Sequence, residues 1–133
     1  MPYTLIDHTA DIGIKVSAHT VRSLFEEAAY ALVDVMGART PEGTDHVSIE
    51  TKGIDRVDLL VRWLQEVLYL VEVKDFRIKE VLVQMLSETQ IHAFLKGAYS
   101  GEPLETEIKA VTYHNLNIQE IDNACVATII LDT

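Results

Sequence analysis

The sequence predicts an α+β fold in a single domain spanning residues 1–133, a sandwich in which two helices pack on a mostly antiparallel sheet of about seven strands. Three observations predict it. Two stretches, 20–37 and 55–72, repeat apolar residues at spacings of three and four. Short runs around them alternate with a period of two, and from Ile78 onward the chain is almost wholly strand-like runs parted by turns. At 133 residues there is enough chain to bury a sizeable core, and no linker, repeat or low-complexity segment divides it.

Taken in order, Ile12 to Val16 reads as a strand. Thr20 is an N-cap for a helix whose apolar face is Val21, Leu24, Phe25, Ala28, Leu32, Val35 and Met36, and Gly37 is its natural stop. Residues 38–45 form a loop by their Pro and Gly. Val47, Ile49 and Thr51 then alternate with His46, Ser48 and Glu50 in a half-buried strand. Asp55 caps a second helix reaching about Glu72. It is apolar around most of its circumference, with a polar stripe of Asp58, Arg62, Glu66, Tyr69 and Glu72 that offers the i,i+4 pairs Asp58–Arg62 and Arg62–Glu66. Such a helix is buried on two sides, and Trp63 belongs to its core rather than to a ligand platform. Strands follow at 78–86 and 90–97, joined by Ser87-Glu88-Thr89. Others follow at 106–113, 115–121 and 124–131, with Gly101-Glu102-Pro103 as the loop before them. The last run is apolar on both faces and so lies inside a sheet.

Composition excludes several roles. Twenty-one acidic residues against eleven basic ones leave a net charge of −10, and no Lys/Arg cluster is present, so direct nucleic-acid binding is not expected. No apolar run is long enough to span a membrane, and the first residues lack the layout of a signal peptide. The single cysteine, Cys125, sits in an apolar run where it serves as a small hydrophobe, so a reducing cytoplasm is the expected location. The motifs of phosphate loops, nucleophile elbows, Cys-x-x-Cys pairs and His-Glu-x-x-His helices are missing.

Candidate functional residues lie at the two ends of the chain. Asp7-His8-Thr9-Ala10-Asp11-Ile12-Gly13 sets two carboxylates, an imidazole and a hydroxyl just before a strand. Oxygen donors at a strand mouth suit a hard cation such as calcium or magnesium. The plainer reading is an Asx-type turn at Asp7, a solvated Asp11 and a packed His8. Asp132 emerges at the end of the final apolar run beside Thr133 and its α-carboxylate, which makes either a second acidic group for a cation or a frayed, solvated terminus. Lys109 shares a strand face with Val111 and Tyr113, where a lysine either snorkels to solvent or meets a partner. His114, at a strand end, is a candidate ligand or base.

Together these segments resemble the archease family. The resemblance rests on the heptapeptide at 7–13, on Leu24-Phe25-Glu26-Glu27-Ala28-Ala29, and on Leu59-Leu60-Val61-Arg62-Trp63-Leu64-Gln65-Glu66-Val67-Leu68-Tyr69. It continues through Gly101-Glu102-Pro103, Glu107-Ile108-Lys109-Ala110-Val111-Thr112-Tyr113-His114 and Ile129-Ile130-Leu131-Asp132, in family order over essentially the whole chain. The chain departs from the family pattern near Asn123-Ala124-Cys125-Val126. The resemblance implies a non-enzymatic accessory protein of the tRNA-splicing RNA ligase, which joins a 3′-phosphate or 2′,3′-cyclic phosphate end to a 5′-hydroxyl using GTP and divalent metal. Its implied task is to promote guanylylation and multiple turnover of that ligase. Carried onto this sequence, the metal ligands fall at Asp11, Asp132 and Thr133 and the functional lysine at Lys109. Asp7, His8 and His114 stand as supporting groups and calcium as the expected divalent cation. The other classes open to the sequence are a general chaperone or interaction module, and a small metal-dependent hydrolase using Asp11 and Asp132 with His8 or His114 as base.

Overall fold

The computed structural model describes residues 2–6 and 11–133, apart from the side chains at 5, 6 and 114–116. Its elements run β1 (Tyr3–Ile6), β2 (Asp11–Ala18), α1 (Val21–Met36), β3 (Asp45–Lys52), α2 (Arg56–Glu72), β4 (Phe76–Leu86), β5 (Gln90–Tyr99), β6 (Ala110–Ile121) and β7 (Ala124–Asp132). The class is the expected α+β, but the sheet is two sheets. One has four strands in the order β1-β2-β7-β6, the other three in the order β3-β5-β4, and every strand pair is antiparallel.

The helices join the sheets. α1 packs on β2 and β7 of the first and β4 of the second, and α2 packs on β6 of the first and on all three strands of the second. This explains why α2 is apolar nearly all round: Leu59, Leu60, Val61, Trp63, Leu64, Val67, Leu70 and Val71 are all buried. Both expected N-caps form. The Thr20 hydroxyl accepts the Ser23 N–H at 3.0 Å and the Asp55 carboxylate accepts the Asp58 N–H at 2.8 Å. Gly37 closes α1 at φ 71°, in the left-handed region glycine enters without a Cβ penalty.

The C-terminus of α2 has no basic residue in its last turn. Arg77 of β4 supplies the charge instead. It is buried, and its guanidinium donates to the carbonyls of Val71 at 3.4 Å, Phe76 at 3.3 Å and Glu102 at 2.5 Å. A planar fork set against helix-end carbonyls is favourable to both charge and dipole, and it also ties down the Gly101-Glu102-Pro103 loop. The outer edge of β4 is closed by α1, whose Tyr30 hydroxyl and Glu26 carboxylate accept the N–H groups of Val81 and Val83, both at 2.8 Å. Gly97 of β5 faces Ile78 beside a register shift in β4, and a Cβ there would collide with the Arg77 carbonyl. Only glycine fits that approach.

Several sequence expectations change. The strands expected at 106–113 and 115–121 are one strand, Ala110–Ile121, with an irregular register between Thr112 and Asn117. The bulge bends the chain without ending it, so His114-Asn115 is no turn. The count of seven is made up by Tyr3–Ile6, which had no strand signal because four residues are too few for a period-two pattern. Asp58 leaves the polar stripe and is buried, and Arg62 pairs with it at 2.9 Å, whereas no Arg62–Glu66 ion pair forms among the described residues. No helix among the described residues is long and apolar enough to cross a membrane.

Candidate functional site

Asp11 is the first residue of β2 and Asp132 the last of β7, and the antiparallel register sets them directly opposite each other. Opposed residues in such a ladder have Cα atoms about 4.5–5.5 Å apart. Asp132 is also opposite Ala110 on the other side of β7, and its carbonyl accepts the Lys109 N–H at 2.7 Å. Three strands therefore meet at one sheet end, bringing together Asp11, Asp132 and Lys109. The cause is the central place of β7 between β2 and β6: the buried Cys125, Ala127, Ile129, Ile130 and Leu131 hold it in the sheet right up to Asp132.

Asp11 is half-buried, while Asp132, Thr133 and Lys109 are exposed. Like charges directly opposite each other destabilise a sheet unless something positive lies between them. The donor set here, carboxylate oxygens at a solvent-facing strand end, fits a hard divalent cation and does not suit a soft one. Two carboxylates are too few for a closed calcium shell, which takes six to eight oxygens. Among the described residues no three His, Cys, Asp or Glu side chains converge on one point. Thr133 directly follows Asp132, outside the strand. Asp7 and His8 lie outside the described residues, as does the side chain of His114.

Lys109 precedes β6 instead of sharing its face with Val111, because the strand begins only at Ala110. It borders a groove of about 290 Å³ against Gln65, Tyr69, Glu72 and Val73 of α2. Its neighbour Ile108 is fully buried and donates its N–H to Glu72 Oε1 at 3.3 Å.

A second polar cluster, missed from the sequence, lies at the other end of α2. The Tyr113 hydroxyl donates to Asp58 Oδ1 at 2.7 Å, while the Ile54 N–H and Arg62 Nε donate to Oδ2, each at 2.9 Å. The Tyr113 hydrogen bond, then the Ile54 amide and Arg62, hold the Asp58 carboxyl down at about 2, and the same Asp58 bond pushes the Tyr113 phenol up. For a depressed carboxyl, the stability it contributes is present above the ordinary 3.8 and is lost as pH falls towards about 2. Acid unfolding of the natural chain should therefore be steeper between those values than that of Asp58→Asn. Parallel stability curves for the two would mean the cluster does not couple folding to protons.

The Archease protein family (MTH1598/TM1083) model matches residues 3–133. The chain belongs to the archease family. Protein archease of Archaeoglobus fulgidus is 36% identical over 136 residues, covering 99% of each chain, and that of Methanopyrus kandleri is 36% identical over 142 residues with the same coverage. Among solved archease-like structures, the solution structure of protein 1598 from Methanobacterium thermoautotrophicum superposes with a TM-score of 0.79 at 29% identity, covering 99% of both chains. The crystal structure of an archease from Thermotoga maritima, described as a possible chaperone, gives 0.68 at 22% identity over 96% of this chain and 94% of that one. That last likeness speaks for the archease fold alone. The Asp58 cluster had one sequence signal. Asp58, Gln65 and Glu72 recur every seven residues along α2, a spacing that stays on one helix face.

Proposed function

We propose that this archease is a metal-binding accessory protein that activates a GTP-dependent tRNA-splicing RNA ligase, promoting its guanylylation and repeated turnover. The observation that carries the reading is the cross-strand pair Asp11–Asp132 with Lys109 bonded to the same strand end. Asp11 and Asp132 would hold a divalent cation, calcium by preference, with residue 133, water or the partner supplying the remaining oxygens. A bound cation would supply positive charge facing outward, where a partner's phosphate or carboxylate groups meet it. The work of the chain's own residues is to present that charge. β7 fixes the two carboxylates in register, and the Lys109 amide, bonded to the Asp132 carbonyl, sets a second cation on the same rim. The acidic remainder of the surface favours a protein partner over bare RNA.

The test is a guanylylation and multiple-turnover ligation assay of the ligase with GTP and magnesium, with and without this protein. Stimulation that is lost on chelation of calcium and restored by adding it supports the reading. A ligase equally active alone, together with suppressed aggregation of unrelated clients, would replace it with the general chaperone role suggested by the description of the Thermotoga protein.

A further inference from the structure

We infer that α2 carries a ladder of three polar side chains, Asp58, Gln65 and Glu72, that positions the segment Ile108–Tyr113 and thereby holds Lys109 beside the Asp11–Asp132 pair. The inference rests on the function proposed above and adds positioning residues remote from the acidic pair. Seven residues of helix turn through 20° less than two full turns, so the three side chains lie on one face. Each meets the neighbouring segment in reverse order: Asp58 takes the Tyr113 hydroxyl at 2.7 Å, Gln65 Nε2 donates to the Val111 carbonyl at 3.2 Å, and Glu72 accepts the Ile108 N–H at 3.3 Å. Fourteen residues of helix span about 21 Å and five of extended chain about 17 Å, so the two can run side by side.

The position of β6 explains why a ladder is needed. It is an edge strand, so its outward backbone groups have no further strand to pair with. At the Lys109 end, the arrangement does more than satisfy an edge. The Ile108 N–H points to α2 and the next N–H, that of Lys109, points to the Asp132 carbonyl. The backbone around Lys109 is thus gripped from both sides, by Glu72 and by β7. Burial of the Ile108 side chain keeps the segment in place, but an apolar side chain does not fix the orientation of the peptide unit that follows it. The Glu72 carboxylate does.

The test compares Glu72→Ala, Glu72→Gln, Gln65→Ala and Lys109→Ala as full chains in the ligase guanylylation assay, titrated to saturation. A merely destabilised protein has a smaller active fraction, which more protein makes good, so its plateau stimulation is unchanged. A misplaced Lys109 lowers the plateau itself. The expected result is a plateau lower by about tenfold for Glu72→Ala, the scale of one lost charge-assisted hydrogen bond. Glu72→Gln should recover it, since its amide oxygen still accepts the Ile108 N–H, and Gln65→Ala should fall between the two. Full plateau stimulation by Glu72→Ala and Gln65→Ala, with Lys109→Ala inactive, overturns the ladder's role and leaves the proposed function standing. Full stimulation by Lys109→Ala overturns both.

Discussion

Replacing Trp63 with alanine is expected to remove about 4 kcal/mol of stability, the range for deleting a large buried aromatic ring. Trp63 is fully buried at the middle of α2, and its indole N–H donates to the Phe25 carbonyl of α1 at 2.9 Å. It therefore fills the space between the helices and also fixes how they register. Domains of this size hold only about 5–15 kcal/mol in total, so this one change takes a large share. Trp63→Phe keeps much of the ring but not the donor, and should cost about 1–2 kcal/mol. Urea unfolding followed by far-UV circular dichroism measures both. A loss below about 1 kcal/mol for the alanine variant would mean that the helices repack around the gap.

That role for Trp63 was legible in the sequence, as were both helix caps, the Gly37 stop and the interior place of the last strand. Each depends on local chemistry or on the period of apolar residues, which the sequence carries directly. The division into two sheets was not legible, because strand periodicity says which face is buried and nothing about which strands pair. Arg77 was hidden for a related reason. Its partners are three backbone carbonyls, from residues 71, 76 and 102, and a carbonyl leaves no mark in a sequence. The two acids were each visible as a charge at a strand end, and the family resemblance joined them. Their direct opposition follows from the β2–β7 register, which no spacing along the chain could supply. Asp58 shows the opposite failure. Its i,i+4 relation to Arg62 was read correctly, but the pair was placed on an open face, whereas Tyr113 of β6 covers it.

The acidic pair should reveal itself through opposite responses to calcium. In metal-free buffer Asp132→Asn relieves the repulsion between directly opposed carboxylates, and should stabilise the fold by about 0.5 kcal/mol. With calcium at about a hundred times its dissociation constant, the natural chain gains about 2.7 kcal/mol from binding in the folded state alone. That corresponds to roughly a 10 °C rise in melting temperature for a chain of this size. Asp132→Asn and Asp11→Asn lose one ligand each and should gain little, so their order of stability against the natural chain reverses on adding calcium. Glu42→Gln, which removes an exposed acid far from this sheet end in sequence, serves as the control and should respond as the natural chain does. Lys109→Ala should keep the calcium response while losing ligase stimulation, because its charge is directed at the partner and is no ligand. Differential scanning calorimetry of the five proteins, with calcium and with a chelator, gives the comparison. A calcium shift that persists undiminished in both aspartate variants would place the cation elsewhere and remove the acidic pair from the proposed function.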